Sequence, residues 1–244
     1  RPELYALAYH EFYYMIKEAD PTAQVAIGGI IQAMPVRLEY LDTVWDTYRT
    51  VYLTDTMPVD VWNVHNFILA EECDNPGADI PPGECESCDP HRGTGDPCYG
   101  EPSLGSPESH KNMDIFRRLL RDFRQWMRDH DQQEKPLIVS EYGLLQYGGG
   151  LEDPDVVKDF MLDTFDYFMT ATDYDLGYPD DDYRLVQRWA WYSLDEDWKA
   201  TGFNKYSVLI DRYDESGENL VAGGRITYLG QAFADYASNY LDRP

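Results

Sequence analysis

The sequence predicts an α/β fold built on a parallel sheet, and three observations carry that prediction. Nine helical and strand-like stretches alternate, from helix to helix, which argues for parallel strands joined by crossover helices. No glycine-rich phosphate fingerprint follows the first strand, which disfavours an open dinucleotide-binding sheet. Polar and aromatic residues gather at the carboxyl ends of three strands, as His65-Asn66, Glu141-Tyr142 and Trp191-Tyr192, the end at which barrel enzymes keep their chemistry. An open doubly wound sheet and a segment of an eight-stranded barrel both fit the alternation, and the third observation favours the barrel.

The elements follow in order. Leu4, Leu7, Ala8, Phe12, Met15, Ile16 and Ala19 recur at helical spacing, predicting a helix over residues 4–19 that stops at Asp20-Pro21. Residues 24–31 form a short apolar strand whose glycines, Gly28 and Gly29, let another backbone or a ligand come close. Pro35 opens a second helix carrying Leu38, Leu41, Val44, Trp45, Tyr48 and Val51 inward. Residues 59–67 are the next strand, with a polar end. A third helix runs over 112–130, with Met113, Phe116, Leu119, Leu120, Phe123 and Met127 on its apolar face.

Residues 135–143, Lys-Pro-Leu-Ile-Val-Ser-Glu-Tyr-Gly, are the most informative stretch. A short apolar run after proline suits a buried parallel strand, and it delivers Glu141 at its carboxyl end. A carboxylate placed there is costly unless it has work to do. Asp153-Pro154 caps a further helix to about 170, residues 185–194 make a fourth strand, 206–214 add a small strand and turn, and 227–240 close the chain as a helix.

Between the second strand and the third helix lies a loop over about 70–109, rich in Gly, Pro and Cys and longer than a structureless connection usually is. It holds all four cysteines, Cys73, Cys85, Cys88 and Cys98. Their even number and loop setting fit two disulfides in a secreted protein. The alternative is a structural zinc site, since Cys85 and Cys88 have ligand spacing and Cys73 and Cys98 complete four thiolates, with His91 and His110 as further candidate ligands. No other metal or cofactor is expected. The aspartate runs at 173–182 and 195–197 read as solvated loops, with calcium binding by such oxygens as the rival reading and no EF-hand pattern in either.

The 244 residues, 43% of them hydrophobic, are enough for one large core. With 20 Lys+Arg against 45 Asp+Glu the formal charge is -25, which repels phosphate backbones and anionic lipid and so argues against nucleic acid as a partner. No apolar run is long enough for a membrane span. Twenty tyrosines and six tryptophans supply flat apolar faces with polar edges, which suit sugar rings and cores alike. The chain opens on Arg1-Pro2 without a methionine, which reads as a processed or truncated start.

Four segments in this order resemble the retaining glycoside hydrolases of clan A, which are barrels with two catalytic glutamates. They are Asp-Pro-Thr-Ala-Gln-Val-Ala-Ile-Gly-Gly (20–29), Val-Asp-Val-Trp-Asn-Val-His-Asn-Phe (59–67), Pro-Leu-Ile-Val-Ser-Glu-Tyr-Gly (136–143) and Arg-Trp-Ala-Trp-Tyr-Ser-Leu (188–194). The resemblance implies a (β/α)8 TIM barrel of which this chain supplies about strands 5–8 and helices 4–8, residues 1–244 being the carboxyl-terminal part of one catalytic domain. It makes Glu141 the nucleophile that forms a covalent glycosyl intermediate. His65, Asn66, Tyr142, Trp191 and Tyr192 become the candidate sugar contacts, with Trp191 resembling the ring that floors the subsite at the cleavage point.

The family's Asn-Glu-Pro acid/base motif is absent, so that residue is expected upstream, on the missing half of the barrel, supplied by the same polypeptide or another copy. Retaining chemistry needs two carboxyl groups about 5 to 5.5 Å apart, so the chain alone is expected to be inactive. Glu71, Glu72 and the 195–197 group have no motif support as substitutes. Phe67 stands where related enzymes often carry a tyrosine that bonds the nucleophile. The partner is then a carbohydrate, the location extracellular or at the cell surface. The rival is a non-catalytic carbohydrate-binding or surface structural protein that keeps the barrel without the chemistry.

Overall fold

The computed structural model describes residues 1–71, 78–81, 104 and 106–241. Along the chain come α1 (Pro2–Ala19), α2 (Pro35–Tyr52), β1 (Trp62–His65), α3 (Met113–Asp129), β2 (Leu137–Tyr142), α4 (Pro154–Thr170), β3 (Arg188–Trp191), α5 (Trp198–Thr201), β4 (Ile210–Tyr213), β5 (Leu220–Ile226) and α6 (Tyr228–Leu241). Pro2, Pro35 and Pro154 sit in first turns, where a missing N–H is no loss. Asn112 caps α3 by accepting from the amides of Asp114 and Ile115, and Asp153 caps α4 through that of Asp155.

β1, β2 and β3 form a parallel sheet in sequence order, with α3 and α4 as the crossovers. Trp62 pairs with Leu137 and Val139 with Trp189, and a register shift at the strand ends sets His65 opposite Glu141. The predicted strand over 24–31 is reduced to two parallel bridges, Ala26 to Val61 and Ile30 to Val64. The reason lies in Gly28 and Gly29: the amide of Gly28 donates to the Tyr5 hydroxyl at 2.7 Å instead of to a strand, and Gly29 makes room for a side chain of β1. The protein is thus a mixed α/β fold with a parallel sheet. The barrel expected from the sequence is not closed: among the described residues no strand pairs with the outer edge of β3.

One face of the sheet is covered and the other is open. Trp62, Val64, Leu137, Val139, Tyr142 and Trp191 are buried beneath the helices, in an aromatic layer where Trp62 meets Trp45, Phe123 and Trp126, and Tyr142 meets Phe116, Phe168 and Trp191. Alternate residues Asn63, His65, Ile138 and Ser140 are only partly buried, and Arg188 and Ala190 are exposed. A parallel sheet normally hides both faces, so the open face is the unusual one. Arg124, fully buried, ties the layers by donating to the carbonyls of Leu185 and Lys135 and to Gln187 Oε1.

The first helix corrects the sequence reading. Its apolar stripe points outward, with Leu4, Phe12 and Met15 more than half exposed, while Tyr5, Tyr9 and Tyr13 turn inward and contact one another in succession. Their hydroxyls explain the choice, because they satisfy groups at the sheet margin: Tyr9 donates to the Pro58 carbonyl and Tyr13 to Asp60. The small strand at 206–214 is the first arm of an antiparallel hairpin whose second arm, β5, was not predicted. Gly223 and Gly224 interrupt its apolar pattern. All four cysteines and Glu72 lie outside the described residues, so the disulfide and zinc alternatives fall there too. Among the described residues no helix is long and apolar enough to cross a membrane.

Candidate active site

Glu141 stands at the carboxyl end of β2 as the sequence placed it, its side chain 44% exposed at the rim of the open face. The strand holds it firmly: its carbonyl accepts the amide of Asn66 at 3.0 Å, and the next residue, Tyr142, accepts the amide of Tyr192 at 2.7 Å. His65 Nε2 lies 3.7 Å from Glu141 Oε1. Burial pushes the imidazole below its usual range and the Arg37 charge adds to that, while the Glu141 carboxylate pulls the other way. At neutral pH His65 is therefore a neutral ring beside a carboxylate.

Two glycines make this packing possible. A Cβ on Gly29 would lie 2.7 Å from His65 Cδ2 and 2.9 Å from Nε2, and a Cβ on Gly143 would lie 2.3 Å from the Tyr192 carbonyl oxygen. Tyr192 stands over the same rim and donates its hydroxyl to Glu196 Oε2 at 2.6 Å. Its phenol is pushed up to about 12 by burial, by that bond and by the charges of Glu196 and Glu141. Phe67 touches both His65 and Tyr192 edge-on, so an apolar ring fills the place between them.

The structure thus brings Glu141, His65 and Tyr192 together and puts three other sequence candidates elsewhere. Tyr142 is fully buried among helix side chains, with its hydroxyl against Thr164. Trp191 is 7% exposed and donates Nε1 to the Ser207 carbonyl at 2.8 Å. It belongs to the covered face, and the parity shared by Trp189 and Trp191 holds with the face reversed. Asn66 is buried and donates Nδ2 to the Phe116 carbonyl, tying β1 to α3. In each case a polar group inside the helical layer takes the side chain away from the rim.

The sequence reading missed the support behind His65. Gln32 holds both the amide and the carbonyl of Leu69, and with Arg37 it grips the buried carboxylate of Glu71. Arg37 Nε to Glu71 Oε2 is 2.9 Å, and the Glu71 side chain has no exposure. Glu71 is therefore committed to fixing the chain that leaves β1. Asp195 pairs with Arg212, and Asp197 caps α5 and accepts from Tyr213. Asp173 likewise accepts from the amides of Asp175 and Leu176. Among the described residues no three His, Cys, Asp or Glu side chains are grouped to hold a metal ion.

The class defined by these features is a parallel α/β fold with one accessible glutamate at a strand's carboxyl end. No protein-family model matches the chain, and no curated protein matches it either. Among solved structures it is similar to a GH128 (subgroup II) endo-beta-1,3-glucanase from Pseudomonas viridiflava, with a TM-score of 0.53 and 14% sequence identity over 96% of this chain. The chain spans 62% of the length of that enzyme. At such an identity the likeness is one of fold.

Proposed function

We propose that the chain is the carboxyl-terminal part of a glycoside hydrolase barrel that cleaves O-glycosidic bonds of a poly- or oligosaccharide with retention. The observation that carries the proposal is Glu141, a partly exposed side chain at the carboxyl end of a buried strand, with His65 Nε2 3.7 Å from its Oε1. In this mechanism a Glu141 oxygen attacks the anomeric carbon as the glycosidic C–O bond breaks. The leaving oxygen takes a proton from the acid/base, and water deprotonated by that same residue then releases the sugar and frees Glu141. The acid/base belongs to a segment upstream of Arg1. That segment would also cover the outward apolar stripe of α1 and pair with the edge of β3 that no described strand pairs with. The similar glucanase is longer than this chain, which spans 62% of its length, and that leaves room for such a segment.

A second reading, a barrel that binds carbohydrate without cleaving it, is favoured by Phe67, which puts no hydroxyl beside Glu141. We place the protein outside the cell or at its surface, with two disulfides among Cys73, Cys85, Cys88 and Cys98. The test is hydrolysis of β-1,3-glucan and other neutral glycans by the polypeptide extended upstream of Arg1. Activity that is lost with Glu141→Gln, and that the 244-residue chain lacks, supports the enzyme. Binding without hydrolysis supports the second reading.

A further inference from the structure

The three consecutive acids that follow β3 do different work. Asp195 pairs with Arg212, and Asp197 caps α5 and accepts the Tyr213 hydroxyl at 2.8 Å. Both serve the hairpin of β4 and β5. Glu196, between them, turns to the candidate active site and accepts the Tyr192 hydroxyl on Oε2 at 2.6 Å. Its backbone is held on both sides: the amide donates to Ser193 Oγ at 3.1 Å, and the carbonyl accepts the amide of Trp198 at 2.9 Å. Trp198 is in turn pinned to the hairpin, its Nε1 donating to Asp211 Oδ1.

One oxygen of Glu196 is left over. Among the described residues no lysine, arginine or histidine pairs with Glu196, and no donor reaches its Oε1. The residue is partly buried, and a carboxylate drawn out of water without a cation costs free energy that a further hydrogen-bond donor would offset. Its setting says where that donor comes from. The Tyr192 ring lies edge-on to Phe67 on one contact and to Phe203 on another, and its phenol feels the charges of both Glu196 and Glu141. The spare oxygen is therefore presented at the rim where the sugar would react.

We infer that Glu196 is a specificity-determining residue of this site, whose Oε1 accepts a hydroxyl of the sugar unit seated beside Glu141. The inference rests on the glycosidase reading. An ionised carboxylate only accepts, so the unit must offer a free hydroxyl there, and a deoxygenated or O-acylated unit leaves the charge unpaired. Tyr192 contributes by holding Oε2, which fixes the direction of the other oxygen.

The test is steady-state hydrolysis by the polypeptide extended upstream of Arg1, on the neutral glycan it cleaves fastest and on oligosaccharides of that glycan each lacking one hydroxyl of the reacting unit. Glu196→Gln keeps the size and an acceptor for Tyr192, and removes the charge and the acceptor at the spare position. It should lower kcat/KM on the complete glycan by about ten- to hundredfold, the scale of one hydrogen bond to a charged group. One deoxy substrate should show a loss of the same size with the unaltered protein and no additional loss with Glu196→Gln. Tyr192→Phe, which removes only the anchor, should cost less. Glu196→Asp, which keeps the charge but withdraws it by one methylene, serves if Glu196→Gln fails to fold, and should give a smaller loss at the same deoxy position. Unchanged kcat/KM in Glu196→Gln, deoxy losses that add independently of position 196, or a Tyr192→Phe loss as large as that of Glu196→Gln would overturn the inference, while hydrolysis that depends on Glu141 keeps the glycosidase reading standing. Hydrolysis of no glycan at all would overturn both.

Discussion

Replacing Arg37 by methionine tests whether the chain leaving β1 is held by a buried charge pair. The variant removes the 2.9 Å contact to Glu71 and the donor to the Asp79 carbonyl, and leaves a carboxylate with no exposure facing only Gln32. Breaking one side of a buried pair costs about 3 to 5 kcal/mol, and because Arg37 itself keeps 13% exposure the lower end, about 3 kcal/mol, is expected. The pH dependence follows from Glu71. Burial raises its carboxyl above the usual carboxylate range, with Arg37 and then Gln32 opposing. A raised acid binds its proton more tightly in the native state, so stability falls as pH rises through the window between the unfolded and folded values. Without Arg37 that window extends upward. The loss should be full at neutral pH and shrink below the unfolded value, where Glu71 is protonated in both states. Urea unfolding followed by tryptophan fluorescence at neutral and acid pH measures both, with an unchanged slope. Arg37→Met with Glu71→Leu should recover much of the loss. A cost under about 1 kcal/mol, or one equal at both pH values, would refute the reasoning.

Other outcomes follow from the site and its frame. His65 should titrate below the usual imidazole range by ring-nitrogen NMR, and Glu141→Gln should lower it further because the carboxylate is what raises it. As a base with a lowered native value, His65 makes stability rise with pH across the window from that value to the unfolded one. Gly29→Ala should displace the imidazole, seen as shifted His65 resonances, at a cost of about 1 to 3 kcal/mol from overpacking. Arg124→Met should cost about 3 to 5 kcal/mol in the same unfolding assay, because it leaves buried carbonyls of Leu185 and Lys135 without a donor.

The sequence showed the longer helices and the three sheet strands because each has a single dominant signal, and it missed the one-turn α5. Proline starts, Asx caps and helical spacing mark α2, α3 and α4, and the apolar run before Glu141 marks β2. It failed where a long-range partner decides. The stripe of Leu4, Phe12 and Met15 outweighs Tyr5, Tyr9 and Tyr13 in hydrophobicity, yet the tyrosines turn inward because their hydroxyls meet Gly28, Pro58 and Asp60. Trp191 went to the covered face because Ser207 supplies its indole with an acceptor, and no spacing rule reports an acceptor sixteen residues away. Glu141 and His65 were legible as polar residues at strand ends. Their support by Gly29, Gln32, Arg37 and Glu71 was not, since it joins segments far apart in sequence through single contacts. The two adjacent glycines at 28 and 29 were the available clue to a close approach.

The central claim is that Glu141 is the nucleophile of a retaining glycosidase. Its most direct test is to incubate the polypeptide extended upstream of Arg1 with a slow-turnover fluoroglycoside bearing a good leaving group, then digest it and sequence the labelled peptide by mass spectrometry. The account predicts one sugar bound as an ester on Glu141 and none in Glu141→Gln. A label on another carboxylate, or hydrolysis that survives Glu141→Gln, would contradict it.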